Sequence, residues 1–179
     1  MSKALCISVM LASSVLAGSE DLTPAKASVT FEPPQIASVG RGRPGTVELQ
    51  FRVARGFHIN SNQPKQEFLK KTELRLDPPG DIVIAKITYP DGQDQSFPFA
   101  PEEKLNVYSG DFRIDVVVRP QKSVPPTKYA VHGFLKYQAC DNSACYPPKQ
   151  LPVTFEVNVT KDRPQPGGAN PGERPHPHS

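Results

Sequence analysis

From Val47 to Val53 the chain reads V-E-L-Q-F-R-V, with apolar and polar side chains alternating at a period of two. That period belongs to a strand with one face buried. Thr72 to Leu76 repeats it as T-E-L-R-L, and Phe112, Ile114 and Val116 alternate with Arg113 and Asp115. Tyr129, Val131, Gly133, Leu135 and Tyr137 share one face of a further strand, and Val153, Phe155, Val157 and Val159 line one face of the last. Ile82 to Tyr89 is rich in β-branched residues and ends at a Pro90-Asp91-Gly92 turn signal. With Ala27 to Phe31 this predicts seven or more short strands and no helical stretch after the N-terminal segment. Antiparallel sheets packed face to face bury such faces most simply, so the expectation is an all-β, immunoglobulin-like β-sandwich, with a closed barrel as the competing arrangement.

Composition supports this and sets the boundaries. The 179 residues include 21 Pro, a residue that neither helices nor central strands accommodate well. Ala4 to Leu16 is a mostly apolar run behind a basic start, and Val15 and Ala17 give the small-residue pattern of a signal-peptidase cut before Gly18. As a helix the run is too short for a bilayer, so residues 1–17 are expected to be a secretory signal. Residues 18–160 are then the folded domain, and 161–179, rich in Pro and Gly without large apolar side chains, a disordered tail. His176 and His178 in that tail make an incomplete metal site. A net charge of +3 with both signs interspersed shows no basic stripe, which argues against nucleic acid as a partner.

Cleavage removes Cys6 and both methionines, leaving Cys140 and Cys145. A chain without methionine lacks the thioether ligands of a Met-rich copper carrier. Adding His132 to the cysteines makes a poor zinc site, so no metal or cofactor is expected. An even cysteine pair in an exported protein reads first as a disulfide. Antibody-type domains join their sheets through distant cysteines around a buried Trp. Here the cysteines are close in sequence and Trp is absent.

Asp141-Asn142-Ser143-Ala144 has turn-forming composition, and facing positions of a tight hairpin bring two cysteines within bonding reach. A bond closing so short a loop removes little unfolded-state entropy. It suits reversible exchange, and a permanent hairpin clip fits the spacing equally well. Asp141 opposes a thiolate at Cys140, whereas Lys136, Lys149 or His132 would favour one. Tyr137 and Tyr146 flank the pair as shields or as ordinary strand aromatics. His58 reads as a strand-end residue with no visible partner, and Asn60, Ser61 and Asn62 as makers of turn bonds before Pro64.

The string Leu135-Lys136-Tyr137-Gln138-Ala139-Cys140…Cys145-Tyr146-Pro147-Pro148 resembles the N-terminal periplasmic domain of the thiol–disulfide interchange protein DsbD. The run from Gly56 to Pro64 and the Tyr89-Pro90 pair agree with it, and the resemblance covers most of residues 27–159. It implies an immunoglobulin-like sandwich with Cys140 and Cys145 as a redox pair. The pair would take electrons from a membrane-embedded thiol–disulfide carrier and hand them to periplasmic acceptors: thioredoxin-like proteins, disulfide isomerases or cytochrome-maturation proteins. In that family a loop caps the oxidised pair with an aromatic side chain, and the matching stretch, Asn106 to Gly110, offers Val107 or Tyr108. Better-known members have one more residue between the cysteines. The chain carries neither the multi-helix membrane section nor the thioredoxin-like domain of full-length DsbD, so the expected donor is a separate protein. The reading from a different class is a non-catalytic exported binding or scaffold domain whose hairpin disulfide is structural.

Overall fold

The computed structural model describes residues 28–161. Twelve strands make up the order β1 (Val29–Glu32), β2 (Ala37–Gly40), β3 (Gly45–Val53), β4 (His58–Asn60), β5 (Glu73–Asp77) and β6 (Ile82–Thr88), then β7 (Gln93–Phe97), β8 (Ala100–Tyr108), β9 (Asp111–Pro120), β10 (Lys128–Tyr137), β11 (Ala139–Cys140) and β12 (Lys149–Thr160). The expected secretory signal, and the expected tail apart from Lys161, fall on residues outside the described range.

Three four-stranded sheets form, ordered β1-β3-β9-β6, β2-β12-β10-β5 and β11-β4-β8-β7. The first two carry the faces that alternation marked. Val47, Leu49, Phe51 and Val53 of β3 and Phe112, Ile114, Val116 and Val118 of β9 meet Val131 and Leu135 of β10 and Val153, Phe155, Val157 and Val159 of β12 in one core. Each fully buried side chain of this size contributes about 1.5–3 kcal/mol relative to exposure. Phe31, Phe51, Phe112 and Tyr108 extend the core as a run of neighbouring rings, with centroids 5.2, 5.3 and 4.9 Å apart in turn. The chain is an immunoglobulin-like β fold. One pairing departs from the antiparallel rule, since β2 runs parallel to β12.

Gly133 sits in the middle of β10, opposite Leu76 of β5 and Val153 of β12. A Cβ there would stand 2.1 Å from the Arg75 carbonyl oxygen, so the absence of a side chain lets β5 approach.

The third sheet was not foreseen, because its strands carry little apolar alternation. The segment Gln93 to Phe97 reads Q-D-Q-S-F, and β8 is largely polar. A register shift between Gln95 and Phe97 lets Phe97 pair with Ala100, so Pro98 and Phe99 form a two-residue turn. Phe97, Leu105 and Val107 gather into a small apolar cluster with Leu69, separate from the main core. This β7–β8 arm stands over the segment that carries the cysteines.

Candidate functional site

The site begins where β10 ends. After Tyr137 the chain steps into β11, and its two residues pair with β4: Ala139 opposite Ile59 and Cys140 opposite His58. The next residues turn back so that Cys140 and Cys145 face one another as an antiparallel bridge. A disulfide joins them, with Cα atoms 3.9 Å apart.

Backbone bonds hold the turn independently of sulfur. The Asp141 N–H donates to the Ala144 carbonyl at 2.9 Å and the Tyr146 N–H to the Ala139 carbonyl at 2.8 Å. The Asp141 carboxylate accepts the N–H groups of Ser143 and Ala144 at 2.7 and 2.9 Å, and the Tyr146 hydroxyl at 2.5 Å. This is the side-chain-to-backbone pattern that suits Asp to turns. The Tyr146 hydroxyl bond, followed by the two amides, holds the Asp141 carboxyl below its ordinary range.

The two sulfurs live in different surroundings. Cys140 is completely buried, whereas Cys145 is exposed and opens on a groove lined by Phe68, Leu69, Phe99, Glu102 and Glu103. Phe68 and Phe99 are large apolar side chains left open to solvent, at 73% and 38% exposure. Phe97 and Phe99 lie nearly parallel, with centroids 5.6 Å apart, and His58 stacks on Phe97 at 3.7 Å. Tyr146 packs its ring 6.0 Å from Phe57 on the flank of the turn.

The residues singled out from sequence are distributed as follows. Cys140, Cys145 and Tyr146 come together in the hairpin. Val107 is fully buried in the small cluster of the arm, on β8 opposite Asn60. Tyr108 belongs to the main core, where its hydroxyl donates to Asn62 Oδ1 at 2.9 Å and its ring stacks on Phe112. Tyr137 is also a main-core residue, its hydroxyl 3.3 Å from Ser28 Oγ. Of the groups weighed as thiolate stabilisers, Lys136, Lys149 and His132 lie in the β10–β12 ladder, and His132 Nδ1 is 3.2 Å from Thr154 Oγ1.

Turn bonding holds for Ser61, whose hydroxyl accepts the Gln63 N–H at 3.1 Å. Asn60 does something else. It is a fully buried strand residue whose side-chain amide donates to the Lys70 carbonyl at 3.0 Å. Sequence reading missed Phe68 and Phe99, because isolated aromatics in polar stretches carry no periodic signal. It also missed what His58 faces, because that neighbour arrives from β11.

No curated protein matches the chain. Among solved structures, it is similar to the Neisseria meningitidis DsbD N-terminal domain in the reduced form, at 21% identity over 77% of this chain and 92% of that one, with a TM-score of 0.45. It is also similar to the Neisseria meningitidis complex between the DsbD N-terminal and PilB N-terminal domains, at 18% identity, covering 75% of this chain and 87% of that one, with a TM-score of 0.42. A type I cohesin from Pseudobacteroides cellulosolvens aligns at 9% identity over 84% of this chain and 98% of that one, with a TM-score of 0.46. The family described as "Thiol:disulfide interchange protein DsbD, N-terminal" matches residues 27–156, a span that takes in every strand of the first and third sheets and the cysteine hairpin. With that match, the chain belongs to the DsbD N-terminal domain family.

Proposed function

We propose that this domain is a periplasmic thiol–disulfide exchange module whose Cys140–Cys145 bond opens and closes as it relays reducing equivalents. One observation carries the reading: of the two cysteines Cys140 is fully buried, whereas Cys145 is exposed and borders a groove edged by exposed Phe rings. Exchange proceeds by attack of a thiolate along an accessible path to a disulfide sulfur. Cys145 is therefore the sulfur a partner attacks, and Cys140 is the leaving group. Phe68 and Phe99 edge the path to the bond, Tyr146 flanks the hairpin, and Val107 packs within the arm. Family membership supplies the context of thiol:disulfide interchange. The donor is a membrane thiol–disulfide carrier, and the acceptors are thioredoxin-like or disulfide isomerase proteins of the periplasm, reached after the signal segment is cleaved.

Nothing in the hairpin activates a free thiolate, since Asp141 lies beside Cys140 and acidic Glu102 and Glu103 edge the groove. Such a pair works when docked and stays quiet otherwise. Mixed-disulfide trapping tests the assignment. A Cys140→Ala variant, with Cys145 free, should trap a thioredoxin-fold partner that lacks its resolving cysteine, and Cys145→Ala should trap far less. Equal trapping by both variants overturns the choice of Cys145. No trapping by either, together with a reduction potential well below about −300 mV, returns the bond to a structural clip.

A further inference from the structure

Directly opposed residues on antiparallel strands point to the same face, with Cβ atoms about 4.5–5.5 Å apart. Cys140 and His58 are such a pair across β11 and β4. The imidazole is 3% exposed and lies flat against Phe97, and its Nε2 has no hydrogen-bond partner. Leaving a buried polar atom unpaired costs stability. Meanwhile the exchange reaction has an unanswered need. When the disulfide opens, the departing Cys140 sulfur acquires a negative charge at a fully buried position, where an uncompensated charge is costly.

We propose that His58 is the acid–base partner of Cys140, receiving at its unpaired Nε2 the hydrogen bond and the proton that the Cys140 sulfur exchanges whenever the bond opens or closes. The inference rests on the exchange reading above. A partner thiol, R–SH, attacks as its thiolate at Cys145 Sγ. The Cys140–Cys145 bond breaks with its electron pair on Cys140 Sγ, and an R–S–S–Cys145 bond forms. The proton lost by R–SH passes to the Cys140–His58 pair, which holds it between Sγ and Nε2. The partner's second thiolate then displaces Cys145 from the mixed disulfide, and Cys145 takes up the second proton. Two electrons and two protons have moved to this domain, and the partner leaves as its disulfide.

The surroundings of His58 fit this role. Burial pushes the imidazole down to about 4, with the Asp141 charge pulling weakly the other way. With the disulfide closed the ring is thus neutral at pH 7, and in its Nδ1–H tautomer Nε2 is an acceptor. The arm stacks the rings of Phe97 and Phe99 on it, and the charges of Glu102 and Glu103 stand along the neighbouring groove. A thiolate forming opposite the ring adds the negative charge that favours imidazolium, and the two groups then titrate as a unit.

Two measurements on the whole domain test this. Nitrogen NMR follows the His58 imidazole through a pH titration of the oxidised and the reduced protein. Stopped-flow kinetics follow reduction by dithiothreitol for the wild type and for His58→Phe, which keeps a ring against Phe97 and removes the nitrogens. Reduction is expected to raise the His58 titration midpoint by about one unit or more. The variant is expected to be reduced about tenfold more slowly at pH 7, the equivalent of one charge-assisted hydrogen bond. An unchanged midpoint overturns the assignment, as does a folded variant reduced at the wild-type rate. The titration needs no variant, so misfolding of His58→Phe does not remove the test. A wild-type disulfide that neither dithiothreitol nor a thioredoxin-fold dithiol opens refutes the exchange reading itself; ready reduction with an indifferent His58 refutes only the acid–base role.

Discussion

Opening the Cys140–Cys145 bond should leave the domain folded, and the size of the effect follows from the loop it closes. The cysteines are 5 positions apart. For so small a loop the chain-entropy relation gives about 2 kcal/mol at 25 °C, the smallest class of disulfide effect. The native turn keeps its own restraints when the bond is gone: two backbone hydrogen bonds across the hairpin and three bonds accepted by the Asp141 carboxylate. The two large sheets pack around a core that does not include the sulfurs. With a urea m-value of roughly 2 kcal/mol per molar, oxidised and reduced protein should differ in midpoint by about 1 M. Far-ultraviolet dichroism in urea, with and without a phosphine reductant, measures this directly. A reduced form that is unfolded in buffer, or one whose midpoint falls by more than about 2 M, would show that the bond staples the fold. A working cycle that passes through the dithiol would then lose its physical basis.

Two further outcomes are expected. Gly133→Ala places a Cβ 2.1 Å from the Arg75 carbonyl oxygen and 2.9 Å from the Leu76 Cα, both backbone atoms that cannot swing aside. Pushing β5 off β10 should cost about 1–3 kcal/mol in chemical denaturation, and a loss under about 0.5 kcal/mol would mean the strand yields freely. The second outcome concerns pH. His58 titrates at its ordinary 6.5 in the unfolded chain and at about 4 in the folded one. Between those values the unfolded chain binds more protons, so the oxidised domain loses stability as pH falls from 6.5 to 4, by at most about 3 kcal/mol. Denaturation midpoints at pH 7 and pH 4.5 measure the slope, and His58→Phe should remove this contribution; a variant with an unchanged slope would assign the acid sensitivity to other groups.

How much of this was legible in the residues depends on where the information lay. The β3 segment V-E-L-Q-F-R-V and the valines of β12 announced their buried faces because one side of each strand packs into the main core, so period and burial coincide. The hairpin was legible too, since Asp141 is a turn residue and its carboxylate does in the fold what Asp does in turns generally. The third sheet was not. Its strands β7 and β8 bury few side chains, and the register shift that swings Phe99 outward depends on pairing rather than on composition. His58 is the clearest instance of what a linear reading loses. Alone in the sequence it was an unremarkable strand-end histidine, and only the short β4–β11 ladder sets it opposite Cys140. The roles of Val107 and Tyr108 differ for a similar reason, because neighbouring strand residues face opposite sides and so enter different clusters.

The separation of the small Phe97–Leu105–Val107 cluster from the main core carries a consequence for how such a protein changes over generations. On the exchange reading, substitutions in the arm alter the contour and charge that a visiting protein meets, yet they disturb few of the contacts that keep the sandwich folded. Recognition and durability are thereby placed under nearly independent selection. A lineage can refit this surface to a new redox companion while its scaffold stays the same.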